Sequence, residues 1–199
     1  MSKKATWIVV IAAIAVVLFW MFGKYNAMVT AEENVETAWG QVENQYQRRA
    51  DLIPNLVSIV KQFAKHETEV YTQTMEARAH ATQVTLDPSN ATPEQLAAYQ
   101  RAQGELSQAL GRLMAVAESY PEIKSNENFL QLQSQLEGTE NRITVARNTF
   151  NETAREFNIL IRKFPANIVA SIFGFTKKPY FEAEEGAEKA PDVRKFFED

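Results

Sequence analysis

The chain of 199 residues contains no cysteine, two histidines, seven glycines and seven prolines. Without cysteine it cannot form disulfides, zinc–thiolate sites, iron–sulfur clusters or a thiolate nucleophile. Few and scattered glycines and prolines argue against a β-rich fold, because such a fold needs many tight turns. The sequence around His66 and His80 contains no HExxH motif, and phosphate-binding loops and nucleophile elbows are missing from it as well. We therefore predict a non-enzymatic protein without metal, cofactor or small-molecule substrate.

Positive charge is also scarce. Beyond residue 24, 18 lysines and arginines stand against 25 aspartates and glutamates. A nucleic-acid-binding protein presents a basic face, so we expect no nucleic-acid partner. Much of the acidic excess lies in residues 182–199, which hold seven acidic and three basic side chains without a periodic apolar face. This composition predicts an acidic, flexible tail over 177–199.

One long uncharged run begins at Ala5 and ends at Gly23. At 1.5 Å per residue a helix of this length spans about 28 Å, close to the hydrocarbon core of a bilayer. Trp7 and Trp20 lie near its ends, where aromatic belts form. The run therefore predicts a single transmembrane helix after a short flank of residues 1–4. A cleaved signal peptide is the alternative, although its apolar region is usually only 7–15 residues long.

The charges around this run predict its orientation. Lys3 and Lys4 precede it, whereas Lys24 follows it and is soon succeeded by Glu32 and Glu33. The positive-inside rule then places the N-terminus in the cytoplasm and the main domain on the non-cytoplasmic side.

The rest of the chain shows the apolar period of packed helices. The clearest series, with seven-residue spacing, is Phe129, Leu136, Ile143, Phe150, Phe157 and Phe164. The predicted helices cover about 25–83, 93–119 and 127–164, with a short helix at 166–173. The first helix is expected to be kinked at Pro54, because the period continues through it. Thr92 and Gln95 have the spacing of a capping box before the second helix.

Short connections between these helices predict antiparallel neighbours. The predicted fold is all-α: a single N-terminal transmembrane helix, then an antiparallel up-down bundle of three long helices plus a short C-terminal helix, over residues 24–176. No stop signal separates the apolar run from the first bundle helix, so the two are expected to form one rod.

Two charged residues, Arg49 and Glu67, occupy apolar positions of the first helix. Burying either without a partner is costly, so both predict cross-helix pairs. Antiparallel connections would bring Arg49 to the corner that begins at Glu118, and Glu67 to Arg142 or Arg147. Such a buried polar network either fixes the register of the helices or forms a proton or ligand site.

Two apolar clusters near the C-terminus are candidates for interaction. The first, after the third long helix, contains Ile168, Ile172, Phe173 and Phe175. It is too short to span a membrane, and it could cap the bundle, lie on a membrane or bind a neighbouring subunit. The second cluster, in the acidic tail, contains Val193, Phe196 and Phe197. It is either a docking motif or a contact with the bundle.

Several blocks of sequence resemble the LemA family. Residues 47–57 read QRRADLIPNLV, residues 118–126 read ESYPEIKSN, and further matches follow from 139 to 165. The resemblance covers about residues 5–181. It implies one N-terminal transmembrane helix and an antiparallel helical bundle, and it brings no catalytic residues. It also implies a short extracellular N-terminus, which is opposite to the orientation that the charges predict.

These features predict a membrane-anchored helical-bundle protein that acts through protein–protein interaction. The partners would be the membrane, further copies in a homo-oligomeric envelope assembly or scaffold, and an unidentified protein. The alternative is a membrane sensor or signal-relay component with a polar site inside the bundle.

Overall fold

The structure, a computed structural model, describes residues 3–182. Within that range the chain is helical and contains no strand, as predicted. Its helices are α1 (Lys3–Phe63), α2 (Thr68–Gln83), α3 (Pro93–Glu118), α4 (Pro121–Lys124), α5 (Glu127–Arg162) and α6 (Ala166–Phe173).

Helix α1 contains 61 residues and would be about 90 Å long at 1.5 Å per residue. Its apolar run meets the length and composition of a membrane span, and none of the most apolar stretch is buried within the protein. The first fully buried side chain is Met28, where the bundle begins. The expectation of one rod is therefore met, because the apolar run continues into the bundle without a break.

Pro54 lies inside α1 on its exposed side. A proline has no N–H, so the carbonyl of Ala50, four residues earlier, loses its helical partner. Arg78 of α2 supplies the missing donor, with Nε 2.7 Å from that carbonyl oxygen. A side chain of the neighbouring helix thus allows α1 to pass through the proline.

The first predicted helix does not continue to about residue 83. It ends at Phe63, and residues 64–67 form a turn after which α2 runs back along α1. In this turn the hydroxyl of Tyr71 donates to the carbonyl of Ala64. The apolar period crosses the turn because both helices face the same core, with Tyr71, Thr74 and Ala81 buried on α2. This reversal adds one antiparallel segment to the predicted bundle.

The other helices follow from this reversal. Helix α3 begins with the predicted capping box, in which Thr92 and Gln95 exchange hydrogen bonds of 3.2 and 2.9 Å. It runs in the same direction as α1, because Tyr99 near its start packs on Trp39 and Ser107 further along contacts Arg49. Helix α5 runs antiparallel to α1.

Two apolar clusters form the core. One surrounds Trp39 and Phe150, towards the apolar run, and the other surrounds Ile53 and Leu113, towards the far end of the bundle. Arg49 lies between them along α1. The core is therefore divided by a polar layer.

The chain beyond α6 does not begin as a flexible tail. Residues 175–182, here called the strap, run back along α5 with Lys178 and Phe181 buried. The predicted tail over 177–199 is wrong for its first six residues. Its remainder, with Val193, Phe196 and Phe197, lies outside the described residues.

Candidate functional site

Arg49 is the centre of the polar layer and is only 2% exposed. One terminal nitrogen donates to Ser107 Oγ at 2.8 Å and to Glu140 Oε1 at 3.0 Å. The other donates to the side-chain and backbone oxygens of Gln103, at 2.8 and 3.1 Å. One guanidinium group thereby joins α1, α3 and α5. Charge-assisted hydrogen bonds of this kind offset the cost of burying a charge.

The guanidinium lies against an aromatic ring on the side of the first core cluster. Its carbon lies 5.1 Å from the centre of the Tyr46 ring, within the range of a cation–π contact. Tyr46 in turn packs edge-on against Tyr99 at 5.6 Å. Burial, assisted by the neighbouring Tyr46 and Glu43, raises the pKa of Tyr99 well above its ordinary value. Tyr99 is therefore a neutral phenol at physiological pH.

A cleft of about 150 Å³ opens beside the layer. Its polar lining includes Arg49, Gln103, Ser107, Glu140 and Arg147. Glu140 is the most open member of the ion pair, with 42% of its side chain exposed. Arg49 Nε is buried and makes no hydrogen bond within residues 3–182. The layer therefore retains one buried donor next to a cleft that polar groups line.

The partners that the sequence predicts for the network are corrected by the structure. Arg49 pairs with Glu140, whereas Glu118 is exposed at the end of α3. Glu67 lies half-buried in the turn after α1, away from the middle of α5. Arg142 donates to Gln45 at 3.3 Å and to Thr139 at 3.2 Å. The reversal at 64–67 causes these differences, because it aligns α3 with α1 and so changes which residues meet.

Sequence reasoning missed Gln103, Ser107 and Glu140 as partners of Arg49. A signal exists for Gln103, which interrupts the apolar series of α3 and is buried. Its amide also donates to the Ala81 carbonyl at 3.1 Å, so it joins α2 to the layer. Ser107 and Glu140 have no comparable signal, because both lie at exposed or half-exposed positions of their helices.

A second polar site holds the strap against α5. Asn158 exchanges two hydrogen bonds of 2.8 Å with the backbone of Lys178, and Asn151 exchanges two, of 2.8 and 2.9 Å, with that of Phe181. Arg147 extends the row by donating to the Glu182 carbonyl at 3.1 Å, and it lies 4.8 Å from the Phe181 ring centre. These three α5 side chains thus replace the backbone partners that an extended segment lacks.

Lys178 also attaches the strap to α1 and to the turn at 87–90. Its ammonium group donates to Glu32 Oε1 of α1 and to the carbonyl of Ser89, both at 2.5 Å. Hydrogen bonds from Asn90 and the Ser89 backbone stabilise the Asp87 carboxylate and lower its pKa. The hydrogen bonds of Asp87 stabilise the 87–90 turn, whose Ser89 carbonyl accepts from the buried Lys178.

The remaining predicted site residues within 3–182 lie in the apolar run or near its junction with the bundle. Trp7 and Gly23 are exposed, Ala5 is half-buried, and Trp20 packs against the first core cluster. Ile168, Ile172 and Phe173 are exposed on α6, while Phe175 packs against the core. Within the described part of the chain, no group of three or more acidic, histidine or cysteine side chains is arranged to hold a metal.

The fold and the site together define this protein as a helical bundle with a buried arginine layer, carried on an apolar N-terminal helix of membrane-spanning length. The family model described as LemA family matches residues 38–196. The chain belongs to the LemA family, as its sequence blocks indicated.

Curated relatives support this assignment. Magnetosome protein MamQ 2 of Paramagnetospirillum magneticum is 31% identical over 194 residues, covering 88% of this chain and 71% of the relative. Magnetosome protein MamQ of Magnetospirillum gryphiswaldense is 31% identical over 175 residues, covering 79% of this chain and 64% of the relative. Protein LemA of Metamycoplasma hominis is 21% identical, with 88% and 76% covered. None of these names states an enzymatic activity.

Proposed function

We propose that this protein is a non-enzymatic, single-pass membrane scaffold that acts through protein–protein interaction and assembles with further copies of itself. The outer face of α5 is the observation that carries the proposal. Helix α5 packs its buried face on α1, while Leu130, Val145 and Ile159 are exposed, Val145 by 64%. At 100° per residue these three side chains fall within about 60° around the helix. They are spaced about 21–23 Å apart along the helix, so they offer a neighbouring copy three separate apolar contact points on one side of α5.

The packing around residues 20–28 supports an anchor over a cleaved signal peptide. Met28 is fully buried, and Trp20 and Tyr25 pack against the same core cluster. Cleavage after the small residues near position 30 would remove all three side chains from the bundle. These contacts support our proposal that the apolar run is retained and that α1 holds the bundle at the membrane.

Measurement of the mass of the full chain in a mild detergent tests self-assembly. We expect a particle of two or more copies for the wild type and a shift towards the monomer for Val145→Asp. Met75→Asp is the matched control, because Met75 is also exposed but lies on α2. A wild-type monomer at micromolar concentration contradicts the assembly.

The cleft beside Arg49 favours a second candidate function, a sensor with a polar site inside the bundle. Its support is that the Arg49 and Arg147 side chains line one cleft, that Arg49 Nε has no hydrogen-bond partner within the described residues, and that α1 is continuous from Arg49 to the apolar run. We expect small carboxylate or phosphate anions to raise the unfolding temperature of the wild type but not of Arg147→Gln. If no anion at millimolar concentration stabilises the wild type, the cleft has no sensing role.

A further inference from the structure

Helix α6 lies where the apolar run of α1 meets the bundle. The ring centre of Phe173 lies 4.7 Å from that of Tyr25. The ring centre of Phe175, just after α6, lies 5.8 Å from that of Tyr25. Tyr25 follows the last residue of the apolar run, Gly23, by two positions. If the run spans a bilayer, α6 is therefore held at the depth of the headgroups.

The two faces of α6 differ in burial but are both apolar. Ala166, Val169 and Ala170 are buried against the bundle. The other side exposes Ile168 and Ile172, the latter by 60%, and Phe164, two residues before the helix, is 81% exposed. Phe173, on the side of the buried residues, is still 48% exposed beside Tyr25. These exposed side chains are Phe164, Ile168, Ile172 and Phe173. An apolar surface this dense on so short a segment is not explained by packing within the bundle.

The charges around α6 match a lipid surface. Between Phe157 and Phe181 the sequence contains no acidic residue, while Arg162, Lys163 and Lys177 are exposed at the two ends of the helix. Lys24 adds a further base on α1 beside Tyr25. Exposed apolar side chains flanked by bases are typical of segments that lie in the interface of an anionic membrane.

We propose that α6, with Phe164, inserts its exposed apolar side chains into the same leaflet that α1 enters, as a second membrane contact. This inference rests on the proposed anchoring by α1. Two contacts define the tilt and the rotation of the bundle relative to the bilayer, which a single helix leaves free. The α5 outer face is then presented to neighbouring copies in one fixed orientation.

The absence of cysteine allows a direct test with single spin labels in the full chain. The label is placed by Ile172→Cys on α6, by Val16→Cys in the apolar run, and by Ser134→Cys on the far part of α5. All three positions are exposed, so labelling should leave the helix content unchanged. Each variant is placed at one copy per nanodisc of phosphatidylcholine and phosphatidylglycerol, and collision with oxygen is compared with collision with a water-soluble nickel chelate.

We expect the oxygen-to-nickel accessibility ratio at position 172 to be severalfold higher than at position 134 and to approach that at position 16. A ratio at 172 equal to that at 134, with 16 in lipid, overturns the α6 contact and leaves the anchor intact. A water-exposed label at 16 overturns the anchor itself. If the label at 172 is shielded only in discs that hold several copies, a second copy covers α6 and the lipid contact is overturned.

Discussion

At the scale of single residues, Arg78 of α2 shows how a neighbouring helix can compensate for the hydrogen bond that Pro54 removes from α1. The Ala50 carbonyl lost its helical donor to Pro54 and gained Arg78 Nε. The sequence marks Pro54 as a helix-disturbing residue, but nothing in it marks Arg78 as the compensating donor, so the relation becomes visible only when α2 lies against α1.

A double-mutant cycle tests this relation. We expect Arg78→Met to lower the free energy of unfolding by about 1–3 kcal/mol, since it leaves a buried carbonyl without a donor. In a Pro54→Ala background the amide N–H of residue 54 donates to the Ala50 carbonyl instead. Arg78→Met should then lower the free energy of unfolding by at least about 0.5 kcal/mol less than it does in the wild type. Thermal unfolding of the full chain in detergent measures both. Additive effects of the two changes would contradict the exchange of donors.

Arg49 is the residue on which the polar layer depends. We expect Arg49→Met to destabilise the bundle by about 1–3 kcal/mol, because the buried side-chain oxygen of Gln103 loses its donor. This corresponds to a fall in Tm of about 2–12 °C for a chain of this size. Arg48→Met, at the exposed neighbouring position, is the control and should change stability by less than about 0.5 kcal/mol. An unchanged Tm for Arg49→Met would show that the layer does not hold the helices together.

The raised pKa of Tyr99 predicts a loss of stability in alkali. The folded protein holds this phenolic proton more tightly than the unfolded chain, so the contribution is complete below about pH 10 and is lost as the pH rises further. We expect the wild type to lose up to about 1.4 kcal/mol per pH unit more than Tyr99→Phe above pH 10. Unfolding temperatures between pH 8 and 11 measure this, and the two slopes should coincide below pH 9. Equal slopes above pH 10 would contradict a protonated, buried Tyr99.

At the scale of elements, the strap depends on two asparagines of α5. We expect Asn151→Ala and Asn158→Ala each to weaken its attachment by about 1–3 kcal/mol, because each leaves buried backbone groups of the strap without partners. Hydrogen exchange of residues 176–182 in the full chain should speed up while α3 keeps its protection. Asn148→Ala, exposed on the same helix, should leave the exchange unchanged. Unaltered protection in both strap variants would refute the role of the asparagines.

The elements also show how far sequence reasoning extends. The capping box of α3 and the prolines at the starts of α3 and α4 locate helix boundaries through local hydrogen bonds. The turn at 64–67 has neither glycine nor proline, and the apolar period crosses it. A pattern of buried positions cannot distinguish one long helix from two antiparallel helices that face the same core. The strap was missed because Phe181, which stacks on Trp39 at 5.8 Å, lies outside any periodic series.

At the scale of the whole molecule, the side of the membrane occupied by the bundle is a prediction from three lysines. Lys3 and Lys4 favour a cytoplasmic N-terminus, although Lys24 opposes them. We expect alkaline phosphatase fused after Asp199 to be active and a fluorescent protein fused there to remain dark. Replacing Lys3 and Lys4 with glutamine should weaken this bias. A fluorescent fusion without phosphatase activity would place the bundle in the cytoplasm, the orientation that the family resemblance implies.

The sequence by itself determined the helical class, the membrane-length apolar run, its continuity with the bundle, and helices α3, α5 and α6. These follow from composition, period and capping, which act between residues close in the chain. Only the tertiary structure decided that the chain reverses after Phe63, that Arg49 pairs with Glu140, and that the strap returns along α5. Such choices depend on the direction and rotation of whole helices, because a side chain meets its distant partner only after both helices have packed.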